Sequence, residues 1–354
     1  MRLGVAAALV DGALVPGDVQ VDGDRIAGVG LGGAGRGIAA PGFVDLQVNG
    51  FAGVDLMHAD REGHARAGAA LLATGVTAYL PTFVTAPEPD ILAALRALPD
   101  GPEILGAHLE GPFLAPGRLG AHPPEWRRDP DQALLDRLLA SGRVTHVTLA
   151  PELPGALDLV DALIARGITV AAGHSDATAA EAHAGFDRGI RTVTHLFNAM
   201  RRPLPRDPGI ALAALARPDV AVQLIADGHH VAADTLIVAW RAARWRVALV
   251  TDAVAAAGMG DGTFTLGGRT LVARDGAVRT ADGTLAGSTL SMIHAVRHVH
   301  ALGVPLDEAL TAASATPAAI AGRPDLGRLV PGARADVVVL SDELDVVRVL
   351  RAGA

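Results

Sequence analysis

Residues Thr169–Met200 read TVAAGHSDATAAEAHAGFDRGIRTVTHLFNAM, and this stretch decides the fold. Two short apolar runs, Thr169–Gly173 and Thr192–Thr194, each end in a histidine, His174 and His195. One helix-length stretch separates them. Parallel neighbouring strands need such a crossover, and it returns both imidazoles to the same end of adjacent strands. A single strand-end histidine is ordinarily a satisfied structural residue. Two in register can each give a nitrogen to one divalent ion.

Working outward, the same alternation of apolar strand and helix runs from Pro41. Strands are expected at FVDLQVNG from Phe43, TAYLPT from Thr77, ILGAHLEG from Ile104 and THVTLAPE from Thr145. The others are TVAAGHS from Thr169, TVTHLFNA from Thr192, VAVQLIADG from Val220 and RVALVTDA from Arg246. Amphipathic stretches at 61–74, 131–141, 157–166 and 232–243 read as helices between them. Eight βα units predict a TIM barrel, whose active site forms at the C-terminal ends of the strands. Asn49, Glu110, Glu152, His174, His195, Asp227 and Asp252 all fall at such ends.

The chain ends differ from this middle. Residues 1–40 read as short strands turning at Asp11-Gly12 and Asp22-Gly23, and 330–354 holds the β-branched runs RADVVVLS and DVVRVL. The two ends are expected to pair into one small discontinuous β-sandwich domain, leaving 41–329 as the barrel. A β-hairpin insertion is expected near 260–288, with Ser288 and Thr289 capping the helix that follows it, and a further helix over 308–322.

Composition narrows the function. At 354 residues, 50% hydrophobic and 19% charged, the chain can bury a large core. Its net charge of −8 disfavours a nucleic-acid surface, which needs a basic face. No cysteine and no lysine occur, which excludes thiolate metal sites, Walker-type phosphate loops, Schiff bases and a carbamylated-lysine metal bridge. The apolar runs at Leu3–Val10 and Ala67–Pro87 read as strand and helix-plus-strand, not as a leader or a membrane span. A cytoplasmic protein with a small-molecule substrate is expected.

Glu110 in HLEGPF, with His174 and His195, gives one carboxylate and two imidazoles converging on the barrel mouth. That set leaves a tetrahedral divalent ion one open position, the catalytic form of such a site. Asp252 closes the apolar strand VALVTDA, where a buried acid must find a partner or change its proton affinity. It is placed to act as a general base and acid. The competing structural readings are an ion pair for Glu110 and a hydrogen-bonding role for Asp252.

The segments PGFVDLQVNG, HLEGPF, GAH, GHSDAT, THLFNAM, RDPG, DGHH, VTDA and GTLAGS, in that order, and the closing PGARADVVVL resemble N-acetylglucosamine-6-phosphate deacetylases of the amidohydrolase superfamily. HLEGPF and THLFNAM are the specific signals. The resemblance implies metal ligation by Glu110, His174 and His195, with Asp252 as general base and acid. It implies that His122 polarises the acetyl carbonyl. It places substrate contacts at Ala121, Asn198, Ala199 (through its backbone), Arg206 and His230, the last two at the phosphate. Arg201 and Arg202 are alternatives to Arg206. Where many amidohydrolases carry two histidines for a second metal, this chain has Gln47 and Asn49, so one ion per chain is expected, zinc or alternatively iron(II). A homodimer is also implied.

The expected reaction is removal of acetate from N-acetylglucosamine 6-phosphate. The alternatives are the galacto epimer of that substrate, another N-acyl or cyclic amide, or a catalytically silent barrel on the same fold. His108, two residues before Glu110, is read either as support for the site or as a buried structural residue, and His229 as facing away from it.

Overall fold

The computed structural model describes residues 1–354. Eight parallel strands lie each beside its sequence neighbour: Phe43–Val48, Val76–Val84, Ala107–Glu110, Val144–Leu149, Thr169–Ala172, Thr192–Val193, Ala221–Leu224 and Val247–Leu249. Every residue of the first two is buried, as expected for a parallel sheet covered on both faces. The ring closes between the first and eighth strands. Val48 bridges Ala253, and the N–H groups of Asn49 and Gly50 both donate to the Ala253 carbonyl, at 2.8 and 3.0 Å. Below that seam the Asp45 carboxylate accepts from the Thr251 hydroxyl at 2.6 Å and its N–H at 3.2 Å. This is the TIM barrel read from the sequence.

The helix inside the deciding stretch, Ala179–Asp187, starts where its sequence says it should. Thr178 accepts from the Glu181 N–H at 3.3 Å while Glu181 takes the Thr178 N–H at 2.8 Å, a capping box that satisfies two first-turn donors. Its Ala182, Gly185 and Phe186 face inward. Arg61–Ala73, Gln132–Leu139, Ala156–Ile164 and Ala233–Ala242 match the other expected helices to within a residue or two. No helix is long and apolar enough to cross a membrane.

Strands from both chain ends share one sheet, ordered Ala13–Pro16, Ala7–Val10, Ile38–Pro41, Val337–Leu340, Val346–Leu350. The antiparallel pair Ala39 and Val339 joins the two ends directly. A second pair of strands, Asp18–Asp22 and Arg25–Leu31, packs Val19, Val21 and Ile26 into the same small core as Val337 and Leu350.

Three local expectations are corrected. The insertion is a four-stranded antiparallel sheet, not one hairpin: Gly262–Leu266, Arg269–Arg274, Ala277–Arg279 and Leu285–Ser288. Ser288 is no helix cap, because its hydroxyl donates to the Thr251 carbonyl at 2.5 Å and its N–H to the Asp252 carbonyl at 2.8 Å, docking the insertion on the eighth barrel strand. Thr289 instead reaches the Gly276 carbonyl, and the helix Met292–Ala301 begins at Ser291. The helix expected over 308–322 is two, Leu306–Ala313 and Ala315–Ile320. The break lies at Ser314, φ −132° and ψ −77°, and Pro317 has no N–H for the Ala313 carbonyl across it.

Candidate active site and metal centre

The C-terminal ends of the barrel strands surround a cavity of about 200 Å³. Glu110, His174, His195 and Asp252 line its floor, and His122, Ala121, Asn198, Ala199 and His230 its wall. Nine of the ten ligand, catalytic and substrate-contact residues that the resemblance implies are thus brought together. Arg206 is not. It lies exposed on the loop after the sixth strand, outside this lining. Arg201 is tied to Asp207 at 2.8 Å and to Asp176, and Arg202 is exposed.

His174, His195 and Asp252 each follow their strand with positive φ, 48°, 30° and 48°. The left-handed region costs a non-glycine residue about 1 kcal/mol or more, and such residues gather at functional sites. The turn aims each side chain back over the barrel axis. Neither the periodicity nor the composition signals it.

Glu110 is the hub. Its Oε1 lies 3.1 Å from His174 Nε2 and 2.9 Å from His195 Nε2, and it accepts from Gln47 Nε2 at 2.9 Å. Its Oε2 lies 3.6 Å from His122 Nε2. Burial would raise its carboxyl, but the three imidazoles outweigh burial and hold it well below the usual range. Four groups therefore crowd one point, and Glu110, His122 and His174 each present a ligand atom within 4.8 Å of the others.

The outer partners of the rings decide which nitrogens carry lone pairs. His174 Nδ1 sits 2.9 Å from the Arg118 carbonyl, which can only accept, so Nδ1 holds a proton and Nε2 is the ring nitrogen turned toward Glu110. His122 is the reverse: its Nδ1 accepts the Thr85 N–H at 3.2 Å, so its Nε2 carries the hydrogen and is a donor. Burial and the nearby His174 push the His122 imidazole down to about 4, which keeps it neutral. At the centre, His195 Nε2 lies 3.1 Å from His174 Nε2, with Glu110 Oε1 at similar range from both. One carboxylate oxygen and two ring nitrogens thus lie within 3.1 Å of one another. The donor set fits a divalent ion.

Asp252 accepts from Asn49 Nδ2 at 2.7 Å. Burial and the charge of Glu110 push its carboxyl up to about 7. His230 is held by Asp227, whose Oδ2 lies 2.6 Å from His230 Nδ1 and whose Oδ1 takes the His229 and His230 N–H groups at 2.8 Å each. Burial opposes the charged imidazole, but the Asp227 contact outweighs it and raises His230 above its ordinary value. His229 is exposed and points elsewhere, as the alternation suggested.

His108 resolves to the structural reading. Its Nε2 lies 2.7 Å from the Thr148 hydroxyl, its Nδ1 3.1 Å from the Leu46 carbonyl, and its ring packs edge-on against His146 beneath the site. Residues the sequence did not flag include Thr85, which fixes His122, and Arg269, which reaches the cavity from the insertion. Nothing in the local pattern singles out either. Each matters through a contact distant in sequence.

The amidohydrolase family model matches residues 38–354. An N-acetylglucosamine-6-phosphate deacetylase of Vibrio furnissii is 39% identical over 86% of this chain and 79% of its own length. An N-acetylgalactosamine-6-phosphate deacetylase of Escherichia coli O157:H7 is 41% identical over 88% of this chain and 86% of its own. Among solved structures, a mutant N-acetyl-D-glucosamine-6-phosphate deacetylase from Mycobacterium smegmatis in complex with N-acetyl-D-glucosamine-6-phosphate superposes with a TM-score of 0.94 at 38% identity, covering 100% of this chain and 98% of that one. With fold and sequence agreeing along nearly its whole length, the chain belongs to the amidohydrolase family and groups there with the N-acetylglucosamine-6-phosphate deacetylases.

Proposed function

We propose that this chain hydrolyses the acetamido group of N-acetylglucosamine 6-phosphate to glucosamine 6-phosphate and acetate, using one divalent ion held by Glu110, His174 and His195. The observation that carries the reading is the convergence of Glu110 Oε1 on His174 Nε2 at 3.1 Å and His195 Nε2 at 2.9 Å, with the two ring nitrogens 3.1 Å apart. His122 accepts the Thr85 N–H at Nδ1, which leaves its Nε2 a donor. His195 Nε2, at 2.9 Å from Glu110, completes the ligand set in place of His122. Gln47 and Asn49 donate to Glu110 and Asp252 where a second ion would need imidazoles, which supports a single ion. The ligand set accepts zinc, with iron(II) the alternative.

A bound ion supplies Lewis acidity and lowers the pKa of water. Asp252, a buried carboxylate, takes the proton of the attacking water and later gives it to the departing amine, which leaves poorly unprotonated. His122 Nε2–H, at the cavity wall, is the donor that would polarise the acetyl carbonyl. Asn198, the Ala199 backbone and Ala121 contact the sugar, and His230, whose charged form Asp227 favours, meets the phosphate. Arg206 faces solvent, so it serves a phosphate only if a second copy brings it to the mouth. The homodimer implied by the resemblance is tested by sedimentation of the purified chain.

We take residues 41–329 as the catalytic barrel and 1–40 with 330–354 as its discontinuous companion, in a cytoplasmic enzyme. The galacto epimer remains the second substrate reading, favoured by the 41% identical relative named for it. The deciding experiment measures acetate release from the two phosphorylated amino sugars and from unphosphorylated N-acetylglucosamine, with and without chelator. Equal rates without phosphate, or full activity in chelator, would overturn the proposal.

A further inference from the structure

The loop that carries His122 has few holds. At one end His174 Nδ1 donates to the Arg118 carbonyl, and at the other the Thr85 N–H donates to the His122 ring. Between them Gly120 is exposed and left-handed, with φ 57°. One hydrogen bond from outside the loop reaches this span. Arg269 Nη1, on the four-stranded insertion, donates to the Ala121 carbonyl at 2.5 Å, and neither group has another partner. Ala121 is the residue before His122, so this bond fixes the peptide from which the imidazole hangs.

Arg269 is itself firmly placed. It opens the second strand of the insertion, just past the Gly267-Gly268 turn, where both residues have positive φ, 53° and 82°. Gly267 N–H donates to Asp55 Oδ2 at 3.2 Å, and the same carboxylate accepts the Met57 N–H at 3.1 Å, which ties the turn to the loop after the first barrel strand. The turn also lies directly on Val84, because a Cβ at Gly267 would come within 2.7 Å of Val84 Cγ2. Val84 precedes Thr85, whose N–H and hydroxyl lie 3.2 and 2.9 Å from His122 Nδ1. One turn thus bears on both supports of the ring, on its backbone through Ala121 and on its outer nitrogen through Val84 and Thr85. A guanidinium-to-carbonyl bond is charge-assisted, the strong kind of hydrogen bond.

We propose that Arg269 is a positioning residue for His122: its bond to the Ala121 carbonyl holds the imidazole where Nε2–H can meet the acetyl carbonyl. The four-stranded insertion is then part of the catalytic scaffold, since it carries the clasp that keeps this donor in place beside Glu110. Misplacing a catalytic group by about 1 Å can cost about a hundredfold in rate. The proposal rests on reading His122 as the donor to the acetyl carbonyl, and it names the residue that keeps it there.

The test is a double-mutant cycle on the full-length metal-loaded enzyme: Arg269→Ala, His122→Asn and the two together, with Arg269→Lys alongside. Arg269→Ala alone lowers kcat about tenfold, the worth of one charge-assisted bond, and does so equally on phosphorylated and unphosphorylated N-acetylglucosamine. Arg269→Lys keeps a charged donor for the carbonyl and recovers part of the loss. In the His122→Asn background, adding Arg269→Ala changes kcat by less than about twofold, because no imidazole is left to position. The same tenfold fall in both backgrounds overturns the proposal, as does an unchanged kcat in Arg269→Ala or an effect confined to KM for the phosphorylated sugar. If the wild type releases no acetate, the functional reading fails by itself. Hydrogen exchange at the Thr85 amide, whose N–H is held by the His122 ring, then decides. Faster exchange in Arg269→Ala than in wild type still supports Arg269 as the clasp, and equal rates overturn it.

Discussion

The backbone N–H of Thr85 donates to His122 Nδ1 at 3.2 Å, and this bond from the second barrel strand sets what the His122 ring can do at its other nitrogen. With Nδ1 filled by an accepted hydrogen, Nε2 bears the proton and cannot ligate a metal. Replacing His122 with Asn should therefore lower kcat by about 10²–10³, as for loss of one oxyanion donor, without loss of bound metal. Kinetics and metal analysis on the same preparation check this. A variant that purifies without its ion would make His122 a ligand.

Asp252 is predicted to be the proton carrier. Asp252→Asn keeps the shape and the Asn49 neighbour but cannot accept a proton, so turnover should drop by about 10²–10⁴ or more while metal content stays at one ion per chain. The active form is the carboxylate. Burial and Glu110 push its carboxyl up to about 7, and a bound cation pulls it back down, so kcat/KM should rise with pH along a limb lying at or below about 7. A profile with no such acidic limb anywhere below pH 7 would remove Asp252 from the role.

The barrel and most of the floor were legible because their signals are local. His174 and His195 close consecutive apolar runs, and Thr178 with Glu181 writes the intervening helix start into four residues. What sequence could not carry was contact between distant segments. Thr85 on His122 joins residues 37 apart, and Arg269 on Ala121 joins residues 148 apart. Glycine turns showed that the insertion had strands, but not that its last strand would hydrogen-bond beside Asp252 and make a sheet of four. Arg206, a position the resemblance singles out, lies outside the cavity of its own chain.

Barrel closure carries its own pH signature. Asp45 is fully buried and bonded to Thr251, and burial pushes its carboxyl up to about 7. The folded state thus binds this proton more tightly than the unfolded chain, whose aspartate titrates near 3.9. Its contribution to stability is fully present below the unfolded value and is lost as pH rises through about 7, by up to a few kcal/mol. Asp45→Asn should flatten that slope between pH 4 and 7. Urea midpoints of both proteins across this range measure it, and parallel curves would show that Asp45 does not titrate in that window.

Asp227 should govern phosphate affinity through His230. The carboxylate 2.6 Å from Nδ1 holds the imidazole cationic above its ordinary range, and Asp227→Asn removes that support while keeping a side chain able to accept from the two backbone N–H groups. His230 then loses its proton at lower pH. At about pH 5.5, below the ordinary histidine value, the variant and wild type should show similar KM for the phosphorylated substrate. From neutrality upward the variant's KM should climb, by about tenfold for one lost charge-assisted contact, with kcat little changed. The charges facing His230 are Asp227, Asp252 and Arg279, so Arg279→Gln serves as the opposite control: it should extend the cationic range of His230 upward. A KM that rises equally at every pH would mean that Asp227 only shapes the loop.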